Sequence, residues 1–302
     1  MKIIKLRKSA RAKHRRLGLP LNIAETRTQA QFYNNLLGLL LPSQKNITWI
    51  DDTLGGIRCL RTESKMETDR VILHLHGGAY FMAIDDMPMI LPYFTGDLAQ
   101  MCEAQVWSVD YRVAPEHPFP AALNDAYKAY VTLLSRGVDP QNLYILGESA
   151  GGGLTLALLM RLRDEGMPLP KAAIAISPWS DLSRTGESRW AREDIDPMLS
   201  SKGEAEAVSL IVNPEHVKDP YISPFYGVFK GLPPLMILVG GREVLYDDSA
   251  RIAEKAKLAG VDVIFDVNEK MFHVYPVFSG FLKESKDAIG RIAAFVKQQA
   301  KL

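Results

Sequence analysis

Six short apolar runs recur along this chain, and all but one are followed by a segment of helix length. The runs are Val71 to His76, Gln105 to Val109, Leu143 to Leu146, Ala172 to Ile176, Leu235 to Val239 and Val261 to Phe265. Continuous apolar runs of this kind, rather than alternating ones, mark strands buried on both faces. The segments between them cover 87–103, 120–136, 149–165, 247–259 and 280–300. Strands alternating with helices predict an α/β fold, with a mostly parallel central sheet and helices on both faces. Ahead of the alternation, 22–41 reads as a helix stopped by Pro42, and 47–51 with 56–61 as a hairpin around Gly55-Gly56. Residues 181–230 break the pattern with charges, prolines and no strand signal. A structureless loop of that length is uncommon in a compact domain. The stretch is therefore expected to be an inserted helical subdomain over one end of the sheet.

Charge and termini narrow the function classes. The 302 residues carry 36 Lys plus Arg against 35 Asp plus Glu, and 47% are hydrophobic, enough to build a core. The balance is uneven. Residues 1–20 hold Lys2, Lys5, Arg7, Lys8, Arg11, Lys13, Arg15 and Arg16 and no acid, leaving 28 basic against 35 acidic residues elsewhere. This leader lacks the aromatic interleaving and motifs of a nucleic-acid binder. Arg-rich and acid-free like a transit peptide, it lacks the abundance of serine usual there, and Leu17 to Pro20 is too short for a signal-peptide core. Leu36 to Leu41 is interrupted by Gly38, well below the roughly 20 residues of a membrane span. Cys59 and Cys102 supply neither a disulfide framework nor metal-ligand spacing. The expectation is a cytoplasmic protein with no cofactor or metal, no nucleic-acid partner and no stable membrane insertion. Its leader is expected to lie on the acidic body or in solvent.

The strongest chemical motif is Gly147-Glu148-Ser149-Ala150-Gly151, placed between an expected strand and an expected helix. A serine on such a sharp turn is held exposed and strained, and the helix that follows favours negative charge near it. A plain glycine-rich turn is the competing reading, and the strand–turn–helix context favours a nucleophile. His76-Gly77-Gly78-Ala79-Tyr80 ends another buried run, leaving the Gly77 and Gly78 N–H groups unshielded. With the Ala150 N–H they are candidates for an oxyanion hole, and His76 for a brace of that loop. A metal site at His74 and His76 finds no third ligand at suitable spacing.

A serine nucleophile needs a base, and an acid to orient it. Where such a serine turn links a strand of a parallel sheet to the helix behind it, as in α/β-hydrolases, the partners follow in the order acid, then histidine. Only His216 and His273 follow Ser149, and His273 lies beyond the last expected strand. Glu243 directly follows the run Leu235 to Val239 and is the favoured acid. Asp247 is the alternative, with N-terminal capping of the next helix and compensation of its dipole as the roles expected of Asp247 and Asp248.

These motifs resemble those of the hormone-sensitive lipase family, the bacterial family IV esterases of the α/β-hydrolase superfamily. The resemblance runs from about residue 70 to the C-terminus. It includes the segment Asp110-Tyr111-Arg112-Val113-Ala114-Pro115-Glu116-His117-Pro118-Phe119-Pro120-Ala121-Ala122, Ser223-Pro224 and Gly231-Leu232-Pro233-Pro234. Two departures stand out: Glu148 where the family more often has Asp, and Glu243-Val244-Leu245 where it usually has Asp-Pro-Leu. The resemblance implies an α/β-hydrolase fold with a helical cap. The expected divisions are N-terminal cap helices over 1–45, a catalytic domain over 46–180 and 218–302, and a cap insertion over 181–217. It implies hydrolysis of short- to medium-chain acyl esters through an acyl-enzyme, with Ser149, His273 and Glu243 as triad and Gly77, Gly78 and Ala150 as oxyanion donors. Phe81, Met82, Trp190 and Tyr221 are candidates for the substrate pocket. A lactone would open by the same chemistry. A non-catalytic binding module, as in a plant hormone receptor of this fold that lacks the histidine, is disfavoured by the presence of His273. Similar enzymes form dimers, so a homodimer is a further expectation.

Overall fold

The computed structural model describes residues 22–44, 46–64 and 67–301. The basic leader falls outside them. The eight-stranded sheet has the order β1-β2-β4-β3-β5-β6-β7-β8. Strands β1 (Ile47–Leu54) and β2 (Ile57–Ser64) form the expected hairpin, closed by Gly55 and Gly56 with φ of 60° and 83°. Two consecutive positive φ values are what a two-residue turn between twisted strands requires. Strand β2 joins β4 (Gln105–Val109) antiparallel, and the pairs from β4–β3 through to β7–β8 are all parallel. Strands β3 (Val71–Leu75), β5 (Leu143–Glu148), β6 (Ala172–Ile176) and β7 (Leu235–Gly240) are buried along their whole length, which is why they read as unbroken apolar runs. The last strand, β8 (Val263–Asn268), starts two residues later than expected and extends further. It is an edge strand of half-exposed residues, so its sequence carries a weaker apolar signal.

In chain order the helices are α1 (Ile23–Gly38), α2 (Ile90–Cys102), α3 (Ala121–Ser135), α4 (Ala150–Asp164), the short α5 (Ser188–Ala191), α6 (Ser201–Ile211), α7 (Tyr246–Leu258) and α8 (Lys283–Gln299). One face of the sheet is covered by α3, α4 and α7, through residues such as Leu133, Leu158 and Ile252. The other is covered by α2 and α8, through Phe94, Leu98, Ile289 and Ile292. Cys59 lies in the first core and Cys102 in the second; both are free, and burial pushes both thiols up to about 12. The stretch between β6 and β7 carries α5, α6 and short 3-10 turns joined by irregular chain, so it is less helical than expected. Among the described residues no helix is long and apolar enough to cross a membrane.

The topology locates the site. From β3 the chain crosses to β4 on one side, then returns to β5 on the other. The carboxyl ends of β3 and β5 therefore flank the point where the winding reverses, where open α/β sheets form their ligand crevice. The two glycine-containing motifs sit at those two strand ends.

Candidate active site

Ser149 occupies the turn from β5 into α4 with φ 55° and ψ −119°. Such a conformation is costly for a residue with a Cβ and persists only where the surroundings over-determine it. Here the Ser149 N–H donates to Ile176 O at 2.8 Å, and its carbonyl accepts from Trp179 N at 2.9 Å and Gly153 N at 3.1 Å. Helix α4 enters directly behind it, and a Cβ on Gly151 would collide with the carbonyls of Leu75 and His76. Glycine at 151 is thus what lets the helix N-terminus sit under the end of β3.

Three side chains form one hydrogen-bonded line. His273 Nε2 lies 2.9 Å from Ser149 Oγ, and His273 Nδ1 bonds Glu243 Oε2. His273 and Glu243 are buried, whereas Ser149 is half-buried and faces a cavity. The other carboxylate oxygen, Glu243 Oε1, accepts from Ser177 Oγ at 2.8 Å and Gly240 N at 2.7 Å. Ser177 Oγ in turn accepts from Val274 N at 3.1 Å, tying the loop that bears His273 to the end of β6. Ser177 has no motif in the sequence; its one signal is its place just past a buried strand. The Asp247 carboxylate accepts from Ser188 N at 2.8 Å and has no bond to His273. Neither Asp247 nor Asp248 caps the helix they open, contrary to that part of the expectation, because both reach across to the 180–189 segment; both do stand in its first turn, where acids complement the dipole.

The oxyanion assignment needs one correction. Gly77 N–H donates to Glu148 Oε1 at 2.6 Å in a buried setting, so it is already committed. Among the described residues the N–H groups of Gly78, Ala79 and Ala150 have no partner, and Gly78 and Ala79 are half-exposed. The free donors of the loop therefore start one residue later than the sequence suggested. Gly78 at φ 115° needs glycine, and Ala79 follows at 53°. His74 and His76 serve different contacts. His74 Nε2 lies 2.8 Å from Glu148 Oε2 and its Nδ1 2.9 Å from Ser108 Oγ. The His76 ring stacks on Tyr111 at 4.1 Å and donates from Nδ1 to Gly77 O at 2.7 Å, bracing the loop. Burial lowers the His76 pKa, in keeping with its uncharged, unpartnered Nε2.

A cavity of about 180 Å³ opens beside Ser149. Phe81, Trp179, Met198, Leu199, Ala207, Val244 and Leu245 supply its apolar wall. Of the four residues expected there, Phe81 takes part. Trp190 is 62% exposed beneath the Arg184 guanidinium, and Tyr221 lines a separate crevice and bonds Asp164. Met82 packs half-buried against the core. Aromatic content alone does not report which way a side chain faces. Gly203 and Ala207, four residues apart on α6, were the missed signal: small residues on one helix face leave room for a ligand.

Beneath that cavity, Arg189 is fully buried and bonds Asp248 at 2.6 Å, Glu204 at 2.9 Å and Asp181 O at 2.9 Å. Burial pushes the Asp248 and Glu204 carboxyls up, and Arg189 opposes that shift. The network joins α6 to α7 and holds the cavity wall. Replacing Arg189 by Met strands two buried carboxylates, at a cost of about 3–5 kcal/mol. Urea unfolding is the check, and a loss below about 1 kcal/mol would place this ion pair with ordinary surface pairs.

Comparison with known proteins gives concordant matches. The family described as alpha/beta hydrolase fold matches residues 72–277. An acetyl-hydrolase of Streptomyces hygroscopicus is 38% identical over 281 residues, covering 92% of this chain and 89% of that protein. A crystal structure of an esterase from the bacterial hormone-sensitive lipase family superposes with a TM-score of 0.86 at 33% identity, over 95% of each chain. EstE5, in a crystal soaked with p-nitrophenyl butyrate, superposes with a TM-score of 0.88 at 37% identity, over 99% of each chain.

Proposed function

We propose, starting from the fact that this chain belongs to the α/β-hydrolase-fold family and within it to the hormone-sensitive lipase group of esterases, that it cleaves carboxylic esters through an acyl-enzyme on Ser149. The observation that carries this is the hydrogen-bonded line Ser149–His273–Glu243 beside unpartnered backbone donors. His273 Nε2 takes the Ser149 proton as Oγ attacks the ester carbonyl. Glu243 keeps the Nδ1–H tautomer in place and stabilises the imidazolium. The Gly78, Ala79 and Ala150 N–H groups receive the developing oxyanion, each such donor contributing about 3–4 kcal/mol. The tetrahedral adduct collapses, and the alcohol leaves with the proton from His273. Water then attacks the acyl-enzyme with His273 again as base, regenerating Ser149. A fluorophosphonate probe should add one phosphonyl group at Ser149. Mass spectrometry that finds Ser149 unmodified would overturn the reading.

Substrate size follows from the wall. A cavity of about 180 Å³ is smaller than the 300–1,000 Å³ typical of drug-sized ligands. It suits a short- to medium-chain acyl group, with α6 and its flanks acting as the cap. Across p-nitrophenyl esters, kcat/KM is expected to peak near the butyrate and hexanoate. A maximum at about twelve carbons or beyond would show that the cap does not bound the acyl chain.

A further inference from the structure

We propose that Glu148, the residue before the nucleophile, is a positioning residue that sets the oxyanion loop against the serine turn. The proposal rests on the esterase reading of Ser149. Glu148 is 3% exposed and is the last residue of β5. One carboxylate oxygen accepts the Gly77 N–H at 2.6 Å, and the other meets His74 Nε2 at 2.8 Å. His74 is anchored in turn by Ser108 Oγ at 2.9 Å. The chain Ser108–His74–Glu148–Gly77 thereby ties β4, β3 and β5 to the start of the loop. It lies on the side of the sheet covered by α2, where Phe94 packs edge-on against His74 at 5.8 Å.

In this chain the glutamate spans two partners, Gly77 N–H and His74 Nε2. A Cβ placed on Gly77 would stand 3.1 Å from Glu148 O and 3.3 Å from Ser149 Cβ, so the loop is seated directly on the turn. With Gly77 held in this way, the next two N–H groups are left without internal partners. The carboxylate thus uses one backbone donor to aim the following ones. Its role is spatial. A negative charge this close to a forming oxyanion opposes it, so charge is not what the reaction needs from this residue.

That distinction sets the test. Gln at 148 keeps an oxygen for the Gly77 N–H and turns its NH₂ to His74 Nε2, while His74 takes the tautomer that donates from Nδ1 to Ser108 Oγ. Asp keeps the charge but is one methylene too short to span both partners. Removing one oxyanion donor lowers kcat by about 10²–10³-fold, which sets the upper bound for Glu148→Ala. On p-nitrophenyl butyrate we expect Glu148→Ala to lose about 10²-fold in kcat with KM changed less than about threefold. Glu148→Gln should recover most of that loss, and Glu148→Asp should remain at least about tenfold down. If Glu148→Ala does not fold, the Gln and Asp variants decide alone. Aspartate at parental kcat, or glutamine as low as alanine, overturns the positioning role. Ser149→Ala, assayed alongside, separates the two ideas. Turnover surviving without Ser149 overturns the esterase reading, whereas turnover that needs Ser149 but ignores Glu148 overturns only this one.

Discussion

Ser149→Ala is expected to lower kcat on p-nitrophenyl butyrate by roughly six orders of magnitude while leaving the fold intact. The size of the loss follows from the way triad members act as a unit: without the nucleophile, base and acid have nothing to activate. What remains is the binding and oxyanion stabilisation of the site, worth about 10³–10⁴ over water. Stability should change by less than about 1 kcal/mol, because among the described residues the one side-chain bond lost is that to His273 Nε2. Alanine carries the same Cβ as serine, so the strain at φ 55° is neither relieved nor increased. A variant that melts with the parent yet keeps more than a thousandth of its kcat would mean that Ser149 is not the nucleophile.

Glu243→Gln should cost about 10⁴-fold in kcat with little change in KM. The reason is local. Glu243 Oε1 accepts from Ser177 Oγ–H and Gly240 N–H, so the amide oxygen of glutamine must face those two donors. Its NH₂ is then turned toward His273 Nδ1. That forces the tautomer with the proton on Nε2, and His273 becomes a donor toward Ser149 when it must accept. Asp247→Asn, whose carboxylate holds the Ser188 N–H, should lose less than about tenfold. If the Asp247 variant loses more than the Glu243 variant, the acid has been misassigned.

Most of the architecture was legible because it depends on local pattern. Fully buried parallel strands must be apolar on both faces, and β3, β5, β6 and β7 announced themselves for that reason. The edge strand β8 did so less sharply because one side of it meets solvent. The order serine, acid, histidine, with each residue at a strand end, pointed to the three side chains now found in line. The sequence was mute wherever a role depends on contacts between distant segments. Gly77 looked like a free donor, but the carboxylate that occupies it arrives from 71 residues away. Trp190 looked like a pocket residue, but its orientation is decided by how α5 docks. Ser177 has no motif at all and is defined by what converges on it.

The two buried thiols make the protein its own opening gauge. A thiol held near 12 is almost never a thiolate at neutral pH, so it stays inert until its surroundings part. Cys59 reports on the layer that carries α3, α4 and α7, and Cys102 on the layer that carries α2 and α8. Their labelling rates, resolved by peptide mapping, compare how often each side of the sheet opens. No engineered probe is needed, and unequal rates would identify the layer that loosens first.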